Sequence, residues 1–156
     1  MELAGIVALD GRLLMITRAQ LSESAGREPG HTELMRAALE GQAEKVKKLL
    51  EGGADVNEKD HEGRTALMFA ATNMHTIVAK TLLRYGADVN VTAKDGSTAL
   101  LLAASSGDVE SVRELLKSGA NLASTLKDTG KTALMLADEK GYVEIVRLLQ
   151  NAATKT

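Results

Sequence analysis

The sequence predicts an all-α stack of helix–turn–helix layers, and a repeat and a composition carry that expectation. The string Gly53-Ala54-Asp55-Val56-Asn57 recurs as Gly86-Ala87-Asp88-Val89-Asn90 and, in weaker form, as Gly119-Ala120-Asn121-Leu122-Ala123, each time 33 residues on. A second anchor, Gly63-Arg64-Thr65-Ala66-Leu67, returns as Gly96-Ser97-Thr98-Ala99-Leu100 and Gly130-Lys131-Thr132-Ala133-Leu134, and an earlier copy stands at Gly30-His31-Thr32-Glu33-Leu34. Two independent anchors that keep one period over four copies define a repeat architecture. The composition agrees: 44% of residues are hydrophobic but only 2% aromatic, with one Phe and no Trp. Such a core must be built from Leu, Val, Ile, Ala and Met, which suits thin layers of short helices.

Each unit reads as two helices. In the second, Thr65 is placed to cap a helix whose apolar positions are Leu67, Met68, Ala70 and Ala71. Asn73 to His75 breaks it, and a second helix puts Ile77, Val78, Leu82 and Leu83 on one stripe before Gly86 stops it. The corresponding stripes are Ala43, Val46, Leu49 and Leu50 in the first unit and Val109, Val112, Leu115 and Leu116 in the third. In the fourth the stripe is Val143, Ile145, Val146, Leu148 and Leu149. Polar, turn-rich segments join the units at 57–63, 90–96 and 123–130, with hairpin-tip chemistry at Asp60-His61-Glu62-Gly63 and Lys94-Asp95-Gly96. The last connection is one residue longer, with Asp128-Thr129-Gly130 at its tip, so that tip is expected to bulge or tilt. No unit can bury its own apolar faces, and its neighbours must cover them.

These residues resemble the ankyrin repeat: a β-turn, a threonine-capped helix opening T-x-L, and a second helix ending in G-A-D-V-N. The resemblance covers about residues 27–153. It implies an L-shaped α-solenoid with β-hairpin fingers on one edge and a concave surface, and a protein-binding scaffold without catalysis of its own. The repeats are expected at about 30–59, 60–92, 93–125 and 126–153, after an N-terminal extension, 1–29. The chain departs from the family in three ways. Glu33, Ala66, Ala99 and Ala133 replace the proline after the capping threonine, and Met35, Met68, Leu101 and Met135 replace the histidine two residues later. The glycine between helices is kept at Gly41, Gly107 and Gly141 but is Met74 in the second unit, where local strain or packing against a neighbour is expected. Gln150, in place of another leucine, and the polar Thr154-Lys155-Thr156 read as a capping last unit, and Arg36, in place of Phe69, Leu102 or Leu136, as an end unit.

The extension fits neither anchor. Leu3 to Leu9, Asp10-Gly11 and Arg12 to Arg18 give a local hairpin signal; a helix competes, but Gly5 and Gly11 lie inside it and the β-branched content favours strand, and residues 22–29 read as a linker. An isolated two-stranded hairpin is marginal in water. Its apolar side chains therefore need cover from the first repeat, a second copy or a partner; self-association or capping is the favoured role, and a flexible tail is the alternative.

Much else is excluded. At 156 residues and 16.5 kDa there is little room for a second, catalytic domain. Without Cys there is no disulfide, thiolate nucleophile or Cys-ligated metal. A net charge of −2 gives no footprint for nucleic acid or an anionic membrane. The apolar run Leu3–Leu9 is too short to span a bilayer, and Met1-Glu2 lacks the basic start of a secretory signal, so a soluble, cytoplasmic protein is expected. His31, His61 and His75 are too scattered for a metal site, and no nucleophile elbow or phosphate-binding glycine loop occurs. No cofactor, metal or enzymatic activity is expected. Asn90-Val91-Thr92 has the form of a glycosylation sequon, but Asn90 closes a repeat and reads as structural.

What remains is a surface. Carried over by position from the resemblance, the partner contacts would be Lys59, His61, Glu62, Arg64, Thr72 and Asn73 in the second unit and Lys94, Asp95, Ser97, Ser105 and Ser106 in the third. In the fourth they would be Lys127, Asp128, Thr129, Lys131, Glu139 and Lys140, and the first unit offers His31, Leu39 and Glu40. Aromatic anchors are confined to Tyr85, Tyr142 and a core-facing Phe69, which suits a modest affinity. The expected function is an adaptor or steric inhibitor that binds another protein through its concave face and finger tips. A structural homo-oligomer built through residues 3–16 is the alternative.

Overall fold

The computed structural model describes residues 3–9, 12–17 and 30–155 and divides the chain after His31 into two compact units. In the first, β1 (Leu3–Leu9) pairs antiparallel with β2 (Arg12–Thr17), with Val7 opposite Leu14 and Leu9 opposite Arg12. The register slips between Leu3 and Gly5. The turn residues Asp10 and Gly11, Arg18 and the 22–29 linker lie outside the described residues.

The second unit contains eight helices among its described residues, two per repeat. They are α1 (Glu33–Leu39), α2 (Ala43–Glu51), α3 (Ala66–Thr72), α4 (Thr76–Arg84), α5 (Ala99–Ser106), α6 (Val109–Lys117), α7 (Ala133–Glu139) and α8 (Val143–Thr154). The first helices, α1, α3, α5 and α7, pack side by side in one layer and the second helices, α2, α4, α6 and α8, in another. At the N-termini of α1, α5 and α7 the hydroxyl oxygens of Thr32, Thr98 and Thr132 accept from the amides of Met35, Leu101 and Met135. Thr65 differs from its expected role. Its backbone is extended like the others, but the Met68 amide donates to its carbonyl at 3.1 Å and its side chain makes no capping bond.

Each G-A-D-V-N string ends one helix and ties two repeats together. Ala54, Ala87 and Ala120 amides reach back to the carbonyls of Leu49, Leu82 and Leu115, closing the helix ends. The Asp55 and Asp88 carboxylates then accept from the amides of Asn57 and Asn90. The Asn57 side chain spans to the next repeat, donating to Gly86 O at 3.3 Å and accepting from Asp88 N at 2.7 Å. Asn90 does the same with Gly119 O and Asn121 N. This use of its amide is what the structural reading of the sequon required.

The fingers are closed by hairpin-type bonds but form no strands among the described residues. Asp60 N donates to Arg64 O and Ala93 N to Ser97 O, four residues apart. In the last finger Leu126 N donates to Lys131 O, five apart, and the turn inside it widens so that Gly130 N donates to Leu126 O. The extra residue is absorbed there as the expected bulge.

The core is continuous across the layers: Leu34, Leu67 and Leu100, Ala38, Ala71 and Ala104, and Val46, Val78, Val112 and Ile145 are buried in one cluster. Three expectations need correction. Ile77 is 71% exposed and Val143 is also exposed, because the first turn of each second helix sits at the tip between helices, outside the stripe made by Val78, Ala79 and Leu82. The last repeat is capped on one helix only. Gln150 and Asn151 wet α8, but Leu134 and Met135 on α7 are 36% and 51% exposed, since nothing among the described residues packs on the face that buries their counterparts.

The tip between helices also explains Met74. Its φ is 58°, the left-handed region that costs a side-chain-bearing residue roughly 1–2 kcal/mol. The glycines at this position are needed for a second reason. A Cβ on Gly41 would lie 2.6 Å from the His75 ring and one on Gly107 2.9 Å from the Tyr142 ring, so each accepts the ring that opens the next repeat's second helix. After Met74 the residue at the ring position is Asp108, which is short.

Leu100→Ala should destabilise the solenoid by about 2–4 kcal/mol in chemical denaturation, while Leu134→Ala, at the uncovered equivalent position, should cost less than about 1 kcal/mol. Met74→Gly should raise stability by roughly 0.5–1 kcal/mol, the relieved strain outweighing the added freedom of the unfolded chain.

Candidate partner-binding surface

The candidate residues fall into two bands. At the finger tips Lys59, His61, Glu62, Lys94, Asp95, Lys127 and Asp128 are exposed. Their backbone is stitched from finger to finger, with Lys94 N donating to Glu62 O and Lys127 N to Asp95 O, both at 2.9 Å. Positive and negative side chains alternate along the tips, and Lys94 lies 3.9 Å from Glu62.

The second band is at the C-terminal ends of the first helices, with Thr72, Asn73, Ser105, Ser106, Glu139 and Lys140. It too is cross-linked. Ser106 Oγ donates to Thr72 O at 3.0 Å, and Lys140 Nζ donates to Ser105 O at 2.7 Å and to its Oγ at 3.0 Å. The Asn73 amide turns back to Phe69 O. In the last repeat the two bands meet, because Lys131 Nζ donates to Glu139 Oε2 at 2.8 Å.

Ser97 is not part of the surface. It is 5% exposed, and its amide and hydroxyl both donate to the Asp95 carboxylate, so it braces the finger from inside. Arg64 is half-buried: its Nε donates to Asp60 Oδ2 at 2.8 Å and its guanidinium lies 4.9 Å from the centre of the Phe69 ring. His31 and Glu40 lie at the first-repeat end, and the Leu39 carbonyl lies 3.0 Å from His75 Nε2. Among the described residues no group of three or more His, Asp and Glu is placed to hold a metal ion.

Sequence reasoning placed Asp60 in the hairpin tip but did not foresee that it is buried and organises the second finger. The side chain is buried, and Oδ1 accepts from the amides of Glu62 and Arg64 while Oδ2 takes the guanidinium. Burial pushes its pKa up, but the bonds from the Arg64 amide and guanidinium, the Arg64 charge and the Glu62 amide outweigh it and hold the carboxyl below its usual value. Asp95 is lowered as well, by the hydroxyl and amide of Ser97. The signal in the sequence was the Asp-x-x-x-Arg spacing across a turn ending in glycine.

A family model described as ankyrin repeats, in three copies, matches residues 8–93, 34–125 and 78–156. The chain belongs to the ankyrin-repeat family. The three matches overlap and each spans more than two periods, so they number windows and not repeats. The first reaches back to residue 8, inside the segment that the two sequence anchors leave outside the repeats. No curated protein matches the chain. Ankyrin repeats are in general protein–protein interaction modules, typically without catalysis, and no helix among the described residues of this one is long and apolar enough to cross a membrane.

Because Asp60 and Asp95 hold protons less tightly when folded than when unfolded, their contribution is complete above the unfolded value, about pH 4, and is lost as pH falls through the lower folded values. Wild-type stability should therefore decline as pH drops below about 4. Asp60→Asn should be about 1–2 kcal/mol less stable at pH 7, with a shallower decline in acid, as read by urea denaturation at a series of pH values.

Proposed function

We propose that this ankyrin-repeat protein is a non-catalytic adaptor or steric inhibitor that binds another protein through its concave face and finger tips. The observation that carries this reading is the stitched finger backbone, in which Lys94 N and Lys127 N are each bonded to the preceding finger. Exposed side chains mounted on such a frame are pre-positioned, and little ordering entropy opposes binding. Alternating charge gives the surface selectivity for a partner of complementary pattern, and few aromatic anchors keep affinity modest. A reducing compartment such as the cytoplasm suits a chain without cysteine.

A second reading, homo-oligomerisation through residues 3–16, is favoured by the hairpin. Each of its two strands has one edge that pairs with no other strand among the described residues, which is a template for a further strand.

A pull-down comparing wild type with a variant carrying Lys59→Ala, His61→Ala, Lys94→Ala and Lys127→Ala tests the first reading. The expected result is loss of captured partners, with the melting temperature nearly unchanged, because the one side-chain bond among the four is the exposed 3.9 Å Lys94–Glu62 ion pair, which contributes little. Unchanged capture would put binding elsewhere. Light scattering on the full chain and on a chain lacking residues 1–29 tests the second, and a monomer in both would exclude it.

A further inference from the structure

The second helices carry a ladder of ion pairs that runs from repeat to repeat and fails at one rung. Lys80 reaches Glu110 of the next repeat at 4.0 Å, and Arg113 reaches Glu144 at 2.5 Å. Lys47 is the equivalent cation one repeat earlier, and the residue in the acid position opposite it is Ile77. Lys47 has no acid across the seam and pairs only within its own helix, with Glu51 at 3.9 Å. Three residues before Ile77 is Met74, 52% exposed and held in a glycine conformation.

One repeat thus gives up both the ladder acid and the tip glycine, and two apolar side chains stand in water instead. Met74 and Ile77 line one groove of about 330 Å³ at the tip of α4. Further along the same helix, Thr81, Arg84 and Tyr85 with Lys47 line a second of about 370 Å³. The Arg84 side chain has no hydrogen-bond or ion-pair partner among the described residues, and Tyr85 is exposed, its hydroxyl 3.3 Å from Glu51. Apolar contact at one end and an underused Lys and Arg beside an aromatic ring at the other define one ligand pattern.

We propose that the outer face of α2 and α4 is a second docking site, for a segment of a partner protein in which an aliphatic or aromatic side chain adjoins one or two carboxylates. The apolar side chain covers Met74 and Ile77, and the carboxylate supplies to Lys47 the charge that a glutamate of the next repeat supplies to Lys80 and Arg113, with Arg84 beside it as a second cation. This site lies on second helices and is distinct from the finger tips and first-helix ends.

Selection of random dodecapeptides displayed on phage against the immobilised full chain tests it. Enriched peptides should combine Leu, Ile, Phe or Met with an adjacent Asp or Glu. Titrated as synthetic peptides, they should bind Ile77→Glu and Lys47→Glu at least about tenfold more weakly than wild type, and a variant with Lys94→Ala and Lys127→Ala equally well. Ile77→Glu installs the residue found at three equivalent positions, so its melting temperature should match or exceed that of wild type. Any of these results would overturn the proposal: no enrichment, enriched peptides without acids, binding indifferent to Ile77→Glu, or binding lost in the finger variant. A concentration-dependent dimer abolished by Ile77→Glu would overturn it in favour of a second copy of the chain as occupant.

Discussion

The constraint on which the solenoid depends is that each layer's apolar face is dry only when the next layer lies on it. Leu67 and Leu100 are buried because α5 and α7 cover them, whereas Leu134, the same residue in the same capped helix, is exposed where the covering layer ends. Burial is therefore a property of the stack, and stability is a sum over neighbours more than over residues. The other regularities follow. A helix pair must end at the same height in every layer, which the closed glycine stops ensure. Layers must also be held in register, which the Asn57 and Asn90 side chains do by bonding the next repeat's backbone at both ends of one amide group.

Most of this was legible because the period writes the same physical problem several times. The helix stops, the threonine caps of α1, α5 and α7 and the bulged last finger could all be read from spacing, and the structure has them. Position within a helix was harder. Ile77 and Val143 look like core residues in a sequence window, but the stripe that faces the partner layer starts one or two residues later, and hydrophobicity alone does not say where a nine-residue helix begins to be covered. The surface was legible by position and not by engagement. Ser97 and Asp95 are two residues apart, yet one is sealed inside the finger by the carboxylate of the other. The bracing role of Asp60 was missed because a buried acid is identified by what surrounds it.

The same frame separates what can vary from what cannot. Fingers are held by backbone bonds and by Asp60, Asp95 and Ser97, so the outward Lys59, His61, Glu62, Lys94 and Lys127 carry little structural duty beyond one exposed Lys94–Glu62 ion pair. The ends of the first helices are less free, since Ser105, Ser106 and Lys140 bond across repeats. A partner that needs those groups must exchange one hydrogen bond for another, and the net gain from each exchange is small. Specificity is accordingly weighted toward the tips.

The tip between helices obeys a rule that joins two repeats. A ring at the start of a second helix demands glycine in the repeat before it, as with His75 on Gly41 and Tyr142 on Gly107. Met74 breaks the glycine requirement, and the residue it faces is Asp108, whose buried carboxylate accepts from the Thr76 hydroxyl and from the amide and hydroxyl of Ser111. Asp108 thus replaces packing against a ring by hydrogen bonds to the preceding repeat and to its own helix. A methionine at the tip and an aspartate one repeat later are a single adjustment. It holds the layers together where the strained residue stands exposed, and it explains how the second repeat keeps an apolar edge without opening the seam beside it.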